Sequence, residues 1–496
     1  MGERTRLGLG ILGAAVALGL LGDLLLRATP WGINVLLWVG LLVGSMAVLA
    51  AWRGVGIRGE GRWLALPLLF FAALFAWRDS NTLAVINGLA VLISLSLAVL
   101  RLRSGRLLVA GLADYFYWGL QAAAHAYAGL LPLALRDIAW REVRPVGFGP
   151  VLAVLRGLAI ALPLLLLFGG LFVAADAVFE NLVSDLLDFD LAEVLGHVFL
   201  FSLFAWISCG LLRIALIGGE LPSPDGRPGF LYLGIVELGV ALGLLNLLFL
   251  SFVVVQIRYL FGGAEGFLAS AGLTYAEYAR RGFFELVTVT ALVLPLLLLA
   301  HWLSRPDKPA HEKLLRLLSG SLIALLFVVM VSALQRMRLY TQEFGLTELR
   351  LYTTAFMLWI AVVLVIFLFT VLRSRRRYFA FGALVTGFLA IAFLNIVNPD
   401  ALIVRTNIAR MQAGEEFDAP YLASLSADAV PPLLASLPAM DEADRFTVRD
   451  RLDARWSSPE TDWRTYNISR SRAYSLVGSG HTVARDAPAT PTRDVT

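Results

Sequence analysis

Residues 351–372 read LYTTAFMLWIAVVLVIFLFTVL, and residues 378–396, after the basic link RSRRR, read YFAFGALVTGFLAIAFLNI. Neither run contains Asp, Glu, Lys or Arg. About 20 such residues in a helix cover the roughly 30 Å hydrocarbon core of a bilayer. Outward from this hairpin the pattern recurs at Leu7–Leu26, Ile33–Trp52, Trp63–Trp77, Leu83–Leu100, Val151–Val173, Val198–Ile217, Leu231–Val255, Phe284–Trp302 and Leu317–Leu334. The sequence therefore predicts an all-α, polytopic helical membrane protein of about 11 transmembrane helices with a small C-terminal extracytoplasmic helical domain. The fifteen-residue segment Trp63–Trp77 is the weakest span, and if it did not cross, every later span would invert.

Composition agrees. Of 496 residues, 58% are hydrophobic and 16% charged, with a mean hydropathy of +0.76, against about a quarter charged in ordinary soluble chains. A formal charge of +4 from 41 basic and 37 acidic residues gives no hold for a polyanion such as nucleic acid. The single Cys209 excludes an intrachain disulfide.

Charge also orients the spans. With the N-terminus inside, the inner segments hold 21 Arg and Lys and the outer loops eight, as the bias of positive charge toward cytoplasmic loops requires. The outer segment 176–193 has six acids and no Arg or Lys. An odd number of spans then places the C-terminal region outside. The expected organisation is four spans (1–102), cytoplasmic interfacial helices (103–149) rich in Tyr, Trp and Arg, seven spans (150–397), an extracytoplasmic helical domain (398–476) and a disordered tail (477–496). Ser426 and Asp441 are the expected N-caps of helices in that domain.

Catalytic signatures are few. Gly8, Gly10 and Gly13 match a dinucleotide fingerprint, but inside an apolar run without a preceding strand they read as room for a close helix neighbour. The five His residues show no metal-ligand spacing, so no metal or cofactor is expected. Asn467-Ile468-Ser469 is a glycosylation sequon by pattern alone. Glu237 and Asn246 lie within an apolar run and suggest an intramembrane relay. The alternative is an ion pair between Glu237 and Arg213.

The outer loops are more informative. One reads Gly272-Leu273-Thr274-Tyr275-Ala276-Glu277-Tyr278-Ala279-Arg280-Arg281, continuing through Glu285. Another carries Arg336, Arg338 and Tyr340, then Gly345-Leu346-Thr347 and Arg350. Both place Arg and Glu after a Gly-Leu-Thr step before an apolar run, which suggests an internal duplication. With Asp176, these residues form a candidate ligand or anion site, because Arg forks match phosphate and carboxylate. A salt-bridge network holding the hairpins to the tail is the plainer reading. Asn398, Asp400, Asn407 and Arg410 are expected to dock the tail.

These blocks, with Ala175-Asp176-x-Val178-Phe179, Asn398-Pro399-Asp400 through Arg410, Asp418-x-x-Tyr421-Leu422 and Asp428-Ala429-Val430-Pro431, resemble bacterial multi-pass membrane proteins catalogued as domain of unknown function 4173, related to 4153. The resemblance covers roughly residues 150–470. It implies the bacterial inner membrane and brings no activity with it. Three functions compete. The first is a non-enzymatic scaffold or sensor recognising an anionic lipid, envelope ligand or envelope protein at the outer cluster. The second is a transporter or flippase using Glu237. The third is a polyprenyl-phosphate-dependent glycosyltransferase-like enzyme using Asp176, or Asp188 and Asp190.

Overall fold

A computed structural model describes residues 1–102, 107–108, 110–140, 142–143, scattered positions between 157 and 176, and 191–218, 233–261, 283–304, 309–459 and 461–485. Among these residues the chain is helical, with one isolated bridge between Leu233 and Ser304. The helices are α1 (Glu3–Leu26), α2 (Ile33–Arg53), α3 (Ala65–Leu74), α4 (Asn81–Arg101), α5 (Leu112–Ala128), α6 (Leu191–Leu216), α7 (Ile235–Phe261) and α8 (Phe283–Leu303). They continue as α9 (Pro309–Phe344), α10 (Glu348–Thr370), α11 (Phe379–Val397), α12 (Pro399–Gln412), α13 (Ala419–Ser424), α14 (Val430–Ser436), α15 (Glu442–Trp456) and α16 (Ile468–Arg485). Nine of the described helices, α1, α2, α4 and α6 to α11, are long and apolar enough to cross a membrane. They coincide with nine of the eleven expected segments. The expected span 151–173 lies almost wholly outside the described residues.

The remaining expected span, Trp63–Trp77, forms only ten residues of α-helix. A 3-10 turn, Glu60–Leu64, precedes it. Together they run beside the whole of α4. The Gly59 N–H donates to Leu102 O at 3.0 Å at one end, and a short turn between Leu74 and Asn81 joins α3 to α4 at the other. A Cβ on Gly61 would stand 2.6 Å from the Arg101 carbonyl carbon, so glycine is what allows the turn to approach α4. The segment is therefore a short helix with a 3-10 lead-in, and it is not among the nine described helices long and apolar enough to cross a membrane.

The chain divides into two compact units. In the first, built from 1–29, 37–58 and 120–220, α1 and α6 pack antiparallel. Their close approach is at Gly19, where a Cβ would meet Phe201 O at 2.8 Å, and at Gly22, against Phe204. Gly8 and Gly10 instead receive Ile138 and Trp52 side chains, and Gly13 has open space. At one end of this unit Asp23 meets His197 Nδ1 at 2.6 Å. At the other, the fully buried Asp137 carboxylate lies between Arg4 and Arg213, the latter at 2.6 Å.

The second unit holds α3, α4, α7 to α11 and the C-terminal helices. Leu322, Ile323, Leu326, Leu364 and Phe367 centre the core of the α7 to α11 bundle. The parallel helices α7 and α9 are pinned by polar rungs. Asn246 donates to Leu318 O at 2.9 Å and accepts from Ser321 Oγ at 2.7 Å, and Gln256 accepts from Ser332 at 2.9 Å. Helix α9 has 36 residues, about 54 Å at 1.5 Å each, and overreaches the hydrocarbon core.

One end of this bundle collects Arg101, Arg316, Arg373, Arg375, Arg376 and Arg377. At the other end α12 to α16 close a separate core of Ile403, Val404, Leu422, Val430, Leu433, Val448, Leu452 and Trp456. The N-caps are those the sequence suggests. Ser426 accepts from Asp428 N and Asp441 from Asp444 N. Helix α16 runs to Arg485, and its Val477 is buried.

Candidate functional site

The last carbonyls of any helix lack intrahelical partners, and at a membrane boundary they need donors. At the end of α3 those donors come from the far end of the chain. Asn467 Nδ2 donates to Phe75 O at 2.8 Å and Arg78 O at 2.9 Å, Ile468 N–H to Ala76 O at 2.8 Å, and Ser469 Oγ lies 2.8 Å from Trp77 O. The glycosylation pattern at Asn467 is therefore a cap. Its Asn is 2% exposed and both its amide hydrogens are engaged.

Ion pairs close around this cap. Arg78 reaches Asp428 Oδ1 at 2.9 Å and donates to Asn395 O at 2.8 Å. Arg470 reaches Asp79 Oδ1 at 3.1 Å, and its other nitrogen faces the carbonyls of Pro30 and Trp31. Asp428 also accepts from the Asp79 N–H at 2.8 Å, from Asn398 Nδ2 at 3.3 Å and from Ser469 Oγ at 2.7 Å when that hydroxyl turns away from Trp77. Asp79 in turn accepts from the Ala427 N–H at 3.0 Å. The side chains of both pairs are almost fully buried. Beneath them, Asn87 of α4 and Asn395 of α11 exchange amide hydrogen bonds of 3.1 and 3.0 Å.

Two further acids adjoin the pairs. Asp400 accepts from the hydroxyl and N–H of Ser426, while its Oδ1 is buried without a hydrogen-bond partner. Burial pushes its carboxyl from the ordinary 3.8 up to about 6, helped by Glu348 and Asp428 and opposed by the Ser426 hydroxyl. Burial also raises Asp79, against the Ala427 N–H and Arg470. Asp79, Asp400, Asp428 and Glu348 thus share a low-dielectric region with Arg78 and Arg470.

The end of α9 is closed differently. Gly345 adopts φ +75°, where a Cβ would collide with the Asn407 side chain. Asn407 donates to Leu346 O at 2.8 Å and accepts from Leu346 N at 3.1 Å. Arg410 donates to Gln342 O at 3.0 Å and Glu343 O at 2.7 Å, and Arg350 donates to Phe344 O at 2.9 Å and to Gly345 O. The Arg350 guanidinium also lies 4.0 Å above the Tyr340 ring. Tyr421 OH accepts from the Glu348 N–H at 2.9 Å.

The residues expected to form a ligand site are scattered by comparison. Tyr275, Glu277, Tyr278, Arg280 and Arg281 lie outside the described residues, as do Asp188 and Asp190. Arg336 bonds Gln256 at 3.2 Å, while Arg338 and Asp176 are exposed. Glu285 is exposed in the first turn of α8, and Glu237 is exposed in the first turn of α7, at the helix end rather than within the apolar run. Arg213 is held by Asp137. Asn398, Asp400, Asn407 and Arg410 all sit where the C-terminal helices meet the bundle.

Sequence reasoning missed Arg78, Asp79, Asn87, Asn467, Ser469 and Arg470. Asn87 carried a usable signal, since an amide inside an apolar run needs a partner, and Asn395 is the matching amide in another run.

A model for a domain of unknown function, DUF4153, matches residues 65–436, three-quarters of the chain. The chain belongs to the DUF4153 family. The match begins at α3 and so takes in the third and fourth segments, which the sequence resemblance left out. It ends in α14, so within the latch formed by the two buried ion pairs and their polar neighbours it includes Arg78, Asp79, Asn395, Asp400 and Asp428, and it stops short of Asn467 to Arg470. No curated protein and no solved structure matches the chain. This DUF4153 member is an integral membrane protein whose family carries no established activity.

Proposed function

We propose that this DUF4153 protein is a non-enzymatic scaffold or sensor of the bacterial inner membrane, with its N-terminus in the cytoplasm. Its C-terminal helical domain is presented on the outer side to an envelope ligand, lipid or protein. The observation that carries this reading is the buried pair of ion pairs, Arg78 with Asp428 and Arg470 with Asp79, which fixes a folded helical domain to the ends of the spans. Buried charge of this kind adds little net stability, yet it punishes misplacement strongly, and so suits a part whose position matters. The outer side is assigned from the basic residues gathered at the opposite end of the bundle. Exposed Arg338 and the loop containing Arg280 and Arg281 would then supply the anion-recognising face.

The transporter reading draws less support. Asn246 is engaged by Leu318 and Ser321, and Glu237 sits at a helix end. Chromosomal variants in the native host separate the alternatives, given a deletion phenotype. Loss in Asp428→Ala and in Arg280→Gln/Arg281→Gln, with Glu237→Gln and Asp176→Asn intact, supports the scaffold or sensor. Loss confined to Glu237→Gln would favour transport, and loss confined to Asp176→Asn an enzyme. A periplasm-active reporter fused after Thr496 should be active, and activity of a cytoplasmic reporter there would reverse the orientation.

A further inference from the structure

The segment that caps α3 also fixes its own depth. Tyr466 O accepts from the N–H of Ile33, the first residue of α2, at 3.0 Å, and the Ile468 N–H donates to Ala76 O at the end of α3. Residues 463–468 therefore lie at the level where two membrane segments end. At that level the chain exposes large apolar side chains: Trp463 is 62% exposed, Tyr466 50% and Ile468 49%, beside Trp31 at 50%. A groove of about 460 Å³ opens next to them, bounded by Trp463, Tyr466 and Tyr474. Asp462 and Arg464 neutralise each other at 2.7 Å, so this stretch offers no excess of positive charge.

Trp and Tyr prefer the headgroup layer, where the ring is buried and the polar edge stays wet. We infer that the 463–468 turn of the C-terminal domain is an interfacial anchor that inserts Trp463, Tyr466 and Ile468 into the headgroup layer of the bilayer. The occupant of this surface is lipid, held by aromatic burial and not by headgroup charge. The chain is then fastened to the membrane at a point outside its spans, which holds the domain down beside the end of α3. This rests on the reading of the long apolar helices as spans.

The test uses the full-length protein in zwitterionic nanodiscs. Buried Cys209 is left in place, and the unmutated protein serves as the labelling blank. A fluorophore is attached at Trp463→Cys, at Tyr466→Cys and, as a mid-span reference, at Leu389→Cys, a residue 62% exposed on α11. The expected result is loss of fluorescence at 463 and 466 to lipid brominated near the headgroup, greater than the loss to lipid brominated at the chain end, with the reverse order at 389. The same losses are expected when anionic lipid is added. Labels at 463 and 466 that respond only to an aqueous quencher would put the turn in water and overturn the anchor. Labels shielded from both quenchers would show a protein contact instead, a second copy or another chain, and would overturn it equally. If the label at 389 also failed to sense lipid, the membrane reading itself would fall.

Discussion

Two helix ends in this molecule meet the same C-terminal domain by different means. The end of α3 is closed by Asn467, Ile468 and Ser469 within a shell of buried ion pairs. The end of α9 is closed by Asn407, Arg350 and Arg410 bonding carbonyls, with Arg410 paired only to the half-exposed Glu415 at 3.6 Å. Both solve the problem of orphan carbonyls at a membrane boundary. The Arg78 and Arg410 side chains are about equally buried, 12% and 13% exposed, and the difference lies in the acid: Asp428 is 2% exposed, where water cannot compensate for a lost partner, whereas Glu415 is 55% exposed and stays hydrated without Arg410. Removal of one residue should therefore be severe at the first end and modest at the second.

The largest effect is expected from Asp428→Ala, which strands Arg78 and frees Asn398, Ser469 and the Asp79 N–H at once. Breaking a buried pair from one side costs about 3–5 kcal/mol. Thermal melting in detergent should fall accordingly, and hydrogen exchange should quicken at 75–78 and 467–470 together. Exchange that quickened at only one of these segments would separate the cap from the latch.

Next comes pH. Asp400 holds its proton more tightly in the folded protein, so stability falls as pH rises from 3.8 to about 6 and stays lowered above it. At one pKa unit per 1.36 kcal/mol the loss is about 3 kcal/mol. Asp400→Asn keeps an acceptor for Ser426 and removes the charge, so it should flatten that slope and melt higher than the unmutated protein at neutral pH. An unchanged slope in the variant would assign the pH response to another group.

At the α9 end, Arg410→Ala should cost about 1.5 kcal/mol, the range of a charge-assisted hydrogen bond, because the acid it leaves behind, Glu415, is open to water. Equal damage from Arg410→Ala and Asp428→Ala would erase the distinction between the two ends. Exposed Arg338→Gln should shift stability by less than about 0.5 kcal/mol. A phenotype from that variant at normal abundance would then mark recognition.

What the sequence revealed follows from the range of each interaction. Spans are local and apolar, so nine of the eleven expected segments reappear as long helices, and the N-caps at Ser426 and Asp441 depend on residues two or three positions away. The 63–77 segment is less legible because its placement depends on non-local contacts. Gly61 seats against Arg101, and its carbonyls are capped nearly 400 residues downstream. Arg78 and Asp428 are 350 positions apart, and each alone resembles an ordinary loop charge. Asn467-Ile468-Ser469 shows the same limit, since a surface motif by pattern is a buried cap by contact. Glu237 lies inside an apolar run that begins at Leu231, whereas α7 begins at Ile235 and leaves the acid at the helix end.

The latch itself is tested most directly by a double-mutant cycle on Arg78→Ala and Asp428→Ala in the full-length protein, read as the stability of the C-terminal domain by hydrogen exchange in nanodiscs. A coupling on the order of 2 kcal/mol, with the double variant less damaged than the sum of the singles, is the expected result for a buried pair. Effects that add within about 0.5 kcal/mol would show that Arg78 and Asp428 act independently and that the domain is held by its apolar contacts alone.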